Sequence, residues 1–199
     1  MTPFTYAAAP LERKHDPLGY LDNDSFRPWL RDEFCFRCVY CLRRERWEPD
    51  LGVFEIDHLS PVSLSPELRV AYRNLIYSCT TCNAAKRAQA LPDPTVVFNA
   101  AHLAVEPDGK LSGRTEESRL LIQLLDLNDP MFVTWRMRMI QIVALARQHD
   151  PELFQSLMAY PDDLPNLASL RPPGGNGRPE GIFQSHFERR KRGELPATY

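Results

Sequence analysis

Two Cys-x-x-Cys pairs, Cys38/Cys41 and Cys79/Cys82, bracket an acid, a base and an amide, and a second amide directly follows the last cysteine. The x-x spacing lets two thiolates reach one ion from a tight turn. Two such pairs complete the tetrahedral shell that zinc favours. Cys38, Cys41, Cys79 and Cys82 are therefore expected to hold a structural Zn2+. A four-thiolate ion is closed to substrate, so chemistry falls to Asp57, His58, Asn74 and Asn83. Cys35-Phe36-Arg37-Cys38 is a competing pair. The later pair is preferred because it leaves a shorter connection to Asp57, with Cys35 a spare, buried thiol. Disulfides are the alternative, and a reducing compartment disfavours them.

Hydrolysis of a phosphodiester fits the remaining residue types. It needs a base to activate water and a cation beside the phosphate. An imidazole such as His58 can accept the proton. The Asp57 carboxylate and the Asn83 side-chain carbonyl are hard oxygen donors suited to Mg2+ or Mn2+. Neighbouring strand residues point opposite ways. Asp57 and His58 can therefore serve opposite sides of a reacting phosphate where a strand ends. Asn83 adjoins Cys82, so zinc would also fix the second amide.

The elements that must position these groups follow from pattern. Ser25 can cap a helix over 26–34, with Phe26, Trp29, Leu30 and Phe34 on one face. Phe54 and Ile56 alternate with Glu55 and Asp57 in an expected strand over 53–58. Ser65-Pro66-Glu67 reads as a helix start running to Arg73. Leu75-Ile76-Tyr77 reads as a second strand, followed by a helix from Cys79 or Thr80 to Ala90. Beyond Pro94, strands are expected at 95–98 and 102–105, with a turn at Asp108-Gly109. Helices are expected over 116–127, 130–149 and 151–160. Phe132, Trp135, Met139, Ile142, Val143 and Ala146 form a core stripe. Residues 171–181, rich in Pro and Gly, read as a linker. A last helix over 182–192 ends in Arg189-Arg190-Lys191-Arg192.

A chain of 199 residues with 43% hydrophobic and 25% charged content suits a globular fold. No apolar run reaches membrane-spanning length, and no leader-like start is read, so a cytoplasmic protein is expected. The net charge of −2 gives no general attraction to nucleic acid. Local positive charge is richer, with Arg43, Arg44, Arg46, Arg69, Arg73, Lys86 and Arg87 in or beside the cysteine-bounded stretch. His15, His102, His149 and His186 lack neighbouring ligand patterns and read as structural or surface residues.

The ordered set Cys-x-x-Cys, Asp-His-x-x-Pro, Asn-Leu, Cys-x-x-Cys-Asn-x-x-Lys resembles the HNH endonucleases of the ββα-metal type, over 34–90. The resemblance implies an α+β fold: a zinc-stabilised ββα-metal core with a mainly helical C-terminal extension. It divides the chain into an N-terminal segment with a short helix (1–33), a nuclease core (34–94), a helical extension (95–170) and a linker with a basic tail (171–199). It implies a single-ion nuclease acting on nucleic acid, chiefly DNA. His58 would be the general base, Asp57 and Asn83 the catalytic-ion ligands, and Asn74 the residue orienting His58 or its loop. Many members carry His where this chain has Asn83, but members with Asn there, including phage junction-resolving endonucleases, are active. Lys86, one helical turn after Asn83, is placed for a phosphate contact, with Arg73 and Arg87 beside it. Through His102-Leu103-x-Val105, Asp108-Gly109 and Leu125-Asp126-Leu127-Asn128 followed by Arg136, the part beyond Pro94 resembles, less closely, bacterial HNH proteins of similar length, some of which accompany ATPases or retrons in phage defence. This implies an ATPase partner. The competing expectation is a zinc-stabilised nucleic-acid-binding or scaffold subunit, inactive alone.

Overall fold

The computed structural model describes residues 2–48, 53–172 and 181–199. The architecture is α+β, with two small antiparallel sheets and a largely helical C-terminal part. Helix α1 (Arg27–Glu33) follows a 3-10 turn at Asp24–Phe26. Its expected face is buried, with Phe26, Trp29, Leu30 and Phe34 at most 5% exposed. Ser25 does not cap it. The Ser25 backbone N–H and hydroxyl instead both donate to Asp22.

Strand β1 (Phe54–His58) pairs antiparallel with β2 (Leu75–Cys79), and His58 lies opposite Leu75 and Phe54 opposite Cys79. The Phe54 and Tyr77 rings stack at 5.2 Å. Every residue of β2 is buried, since helices α1 and α2 (Thr80–Lys86) both pack on this sheet. Helix α2 ends earlier than Ala90 because Arg87 takes a left-handed backbone, φ 55°. The expected 65–73 helix is instead two 3-10 turns, Pro66–Leu68 and Tyr72–Asn74. Residues 62–64 and 66–69 are exposed, so no apolar face stabilises so short a helix.

Residues 95–98 are not a strand. Asp93 caps α3 (Pro94–Val97), and its carboxylate accepts from the Thr95 N–H at 2.8 Å. An Asp-Pro start outweighs the strand preference of two valines. The second sheet is a hairpin of β3 (Leu103–Val105) and β4 (Leu111–Gly113). Gly109 turns it with φ +84°, where a Cβ would meet the Val133 carbonyl at 2.5 Å.

Helix α4 (Glu116–Leu124) carries a Thr115–Ser118 capping box. Helices α5 (Pro130–His149) and α6 (Pro151–Met158) each start at an Asp cap followed by Pro. Arg136, wholly buried on α5, donates to the Gly109 carbonyl at 2.6 Å and also to the Leu127 carbonyl. It joins the hairpin turn to the α4–α5 connection. Of the expected stripe, Ile142 lies outside the core at 43% exposure. One apolar cluster runs from Phe4 and Tyr6 through the β1–β2 sheet to Leu125 and Phe132. Helix α7 (His186–Lys191) starts at Ser185, which is its cap. Most of the expected 171–181 linker lies outside the described residues. No helix among the described residues is long and apolar enough to cross a membrane.

Candidate active site and metal centre

The first knuckle turns between Arg37 and Arg44, where the Cys38 N–H donates to the Arg43 carbonyl at 2.8 Å. Leu42, with φ 59°, closes the turn. The Val39 N–H donates to the Tyr77 carbonyl at 3.0 Å, which seats the knuckle on β2. The second knuckle is the junction of β2 and α2. The four sulfurs of Cys38, Cys41, Cys79 and Cys82 lie within 4.8 Å of one another and are buried. Cys41 Sγ and Cys79 Sγ are 3.7 Å apart. Sulfurs bound to one zinc at about 2.3 Å stand roughly 3.8 Å apart, whereas a disulfide needs about 2.05 Å. The cluster fits zinc and excludes a Cys41–Cys79 disulfide. Burial pushes the Cys38 thiol up. Hydrogen bonds from the other three thiols hold Cys79 well below the usual thiol range. Cys35 stays outside this set.

A cleft lined by Ile56, Asp57, His58, Ser63, Asn83, Lys86 and Arg87 brings the acid, the base and the second amide together. Asp57, at 4% exposure, is the inner end of the site. Its Oδ2 accepts from the Tyr40 hydroxyl at 2.9 Å, and its Oδ1 accepts from Lys86 Nζ at 3.0 Å and the His58 N–H at 2.7 Å. Burial raises the Tyr40 pKa and the Asp57 charge adds to it, so the phenol remains a donor. Lys86 is 1% exposed and also donates to the His58 carbonyl at 2.6 Å. It is thus a buried tie between α2 and the end of β1, whereas sequence places it as an exposed phosphate contact. Arg73 and Arg87 are exposed, and Arg73 pairs with Asp16 at 3.2 Å. Arg44 is 2% exposed, and Arg46 pairs with Asp162 at 2.8 Å.

His58 Nε2 lies 2.9 Å from the Arg69 carbonyl oxygen. A carbonyl only accepts, so Nε2 carries the proton and Nδ1 keeps the lone pair. Asn74, which sequence leaves as orienting either His58 or its loop, acts on the loop. Its Nδ2 donates to the carbonyls of Ser60 and Leu68, and its Oδ1 accepts from the Ser60 N–H at 2.8 Å. Leu68 directly precedes Arg69. Asn74 therefore ties Ser60 to the residue before Arg69.

Asn83 donates from Nδ2 to Glu55 Oε2 at 2.6 Å. Donation from the nitrogen fixes which way the carbonyl oxygen of Asn83 turns. Glu55, Tyr40 and Asn23 are site neighbours that sequence reasoning missed. Glu55 was legible, because it shares a strand face with Asp57 two residues on. Tyr40 and Asn23 carry no local signal. For a divalent ion the donor set is chemically suitable, with oxygen donors on Asp57 and Asn83 and a carboxylate at Glu55. A carboxylate has about four acceptor positions, and Asp57 accepts three hydrogen bonds.

Residues 38–89 match the HNH endonuclease family. This stretch is an HNH domain. The HNH domain holds every zinc and cleft residue named above except Asn23. Across a longer stretch the chain is similar to the Septu protein PtuB of Bacillus thuringiensis. The two are 29% identical over 97 residues, which is 46% of this chain and 37% of that protein.

Away from the HNH cleft, Asp32 is buried between two imidazoles, His15 Nε2 at 2.9 Å and His186 Nδ1 at 3.0 Å. Burial pushes the Cys35 thiol up, but the hydrogen bond and charge of His186 bring it down to about 7. Burial lowers His186, and its bonds to Asp32 and Cys35 raise it to about 9. Cys35 is thus a partner of His186, half-buried rather than fully buried. The basic run of α7 is partly spent on structure. Arg190 donates to the Pro161 carbonyl at 3.0 Å, and Arg192 pairs with Glu194 at 2.7 Å.

Proposed function

We propose that this protein is a divalent-metal-dependent endonuclease that hydrolyses phosphodiester bonds in DNA. The observation that carries this reading is the His58 tautomer. The Arg69 carbonyl accepts from Nε2–H, which leaves Nδ1 as the acceptor of the neutral ring, and His58 lines a cleft with Asp57 and Asn83. In the proposed step Nδ1 takes a proton from water and the water oxygen bonds to phosphorus. The bond from phosphorus to the leaving oxygen breaks, and that oxygen takes up a proton. Asp57 and Asn83 would hold the Mg2+ or Mn2+. When bound, the ion supplies positive charge beside the phosphate and the leaving oxygen. Arg73 and Arg87, both exposed, are the proposed contacts to the backbone phosphates. The zinc is structural and fixes Asn83 through Cys82.

The resemblance of the part beyond Pro94 to defence-associated HNH proteins supports a role in phage defence alongside an ATPase partner, and the similarity to the Septu protein PtuB is consistent with that reading. A second reading, a nucleic-acid-binding scaffold silent alone, is favoured by one contact. Lys86 already neutralises Asp57. A cleavage screen separates the two. Supercoiled, linear, single-stranded and branched DNA and RNA would be incubated with Mg2+ or Mn2+, and again with chelator. Metal-dependent cutting supports the nuclease. Salt-sensitive binding with no cutting of any form supports the scaffold.

A further inference from the structure

We propose that Asn23, from the segment preceding the HNH-matched residues, is a positioning residue for His58, with its side-chain oxygen facing Nε2–H. The inference rests on the reading of His58 as the base. Asn23 Nδ2 stands 3.2 Å from His58 Nε2, the nitrogen that donates to the Arg69 carbonyl at 2.9 Å. With Nδ2 in that place, a donor faces a donor. The other end of the same amide, Asn23 Oδ1, is buried with no hydrogen-bond partner among the described residues. Exchanging the two ends of the amide preserves its shape and places an acceptor on Nε2–H, and the two ends are assigned by hydrogen bonding rather than by shape. Nε2–H then lies between two carbonyl oxygens, Asn23 and Arg69. Both select the tautomer with the lone pair on Nδ1, and together they fix the plane of the ring.

The placement is built into the fold. The Asn23 carbonyl accepts from the Phe26 N–H at 3.0 Å, which opens the turn before α1. Phe26 is 1% exposed and its ring lies 5.7 Å from that of Tyr72. Arg27 donates to the Phe54 carbonyl at 3.0 Å, tying the same turn to the start of β1. The backbone of Asn23 is thus fixed to both ends of the segment that carries His58 and Arg69.

Asn23→Ala and Asn23→Asp test this, the second because it keeps an acceptor at either end. Cleavage kinetics with Mn2+ are expected to show kcat down about fivefold to tenfold for Asn23→Ala with KM unchanged, the scale of one hydrogen bond. Asn23→Asp is expected to stay within about threefold of wild type. In parallel, 15N-resolved NMR of the imidazoles reads the tautomer without cleavage. His58 is expected as Nε2–H in wild type and in Asn23→Asp, and as a mixture in Asn23→Ala. Equal losses in both variants, or an unchanged tautomer in Asn23→Ala, would overturn the proposal. If wild type fails to cleave, or His58→Ala cleaves equally well, the nuclease reading fails and the tautomer measurement still decides the role of Asn23.

Discussion

Lys86 Nζ lies 3.0 Å from Asp57 Oδ1, and both side chains are buried. The pair joins the last turn of α2 to the last residues of β1, so the HNH helix and strand meet through a buried charge pair. Removing the cation alone leaves a buried carboxylate without a counter-charge. Lys86→Met is therefore expected to cost roughly 3–5 kcal/mol, measured by urea unfolding. Adding Asp57→Asn is expected to recover much of that loss. A Lys86→Met protein as stable as wild type would show that the pair is not formed.

Asn74 touches Ser60 twice and Leu68 once. Asn74→Ala releases all three contacts, and with them the Arg69 carbonyl that holds His58. We expect a stability loss of about 2–3 kcal/mol, from several buried hydrogen bonds. Cleavage is expected to fall further than the unfolded fraction explains, in an assay at a temperature where the variant is folded. Cleavage that simply tracks the folded fraction would confine Asn74 to stability.

Cys79 is the last residue of β2 and the N-cap of α2. Cys79→Ser is expected to lower bound zinc by elemental analysis and to lower the thermal midpoint together, because metal binding and folding share one free energy. A zinc-replete variant with the wild-type midpoint would contradict the four-cysteine assignment.

The Cys35–His186 pair makes a prediction in pH. His186, raised from 6.5 to about 9, contributes stability that is full below 6.5 and lost as pH rises through 9. Cys35, lowered from 9.0 to about 7, contributes stability that is full above 9 and lost as pH falls through 7. Between about 7 and 9 the two slopes oppose each other. Wild type is therefore expected to change little on account of this pair. Cys35→Ala removes the rising half, so its stability deficit against wild type is expected to widen between pH 7 and pH 9 in chemical denaturation. A constant deficit across that window would show that Cys35 is not held as a thiolate.

The HNH core was legible because its residues act at short range. Knuckle spacing brought Cys38, Cys41, Cys79 and Cys82 together, and the strand pattern put Asp57 and His58 at the end of β1. Apart from Glu55, what escaped was paired at long range in the sequence. Tyr40 reaches Asp57 across 17 positions and Asn23 reaches His58 across 35. Neither has a periodic signature. Lys86 was misplaced because helical spacing after Asn83 shows its face but not the buried carboxylate waiting there. The strand expected at 95–98 failed for a local reason, since the Asp93 cap and Pro94 set a helix start that two valines could not override.

The role of His58 is tested most directly by the rate of Mg2+- or Mn2+-dependent DNA cleavage in His58→Ala against wild type, with zinc content and thermal midpoint measured on the same samples. Loss of a positioned base is expected to lower the rate at least about 100-fold while zinc and midpoint stay close to wild type. Cleavage by the folded, zinc-bound variant at the wild-type rate would contradict the assignment of His58 as the base.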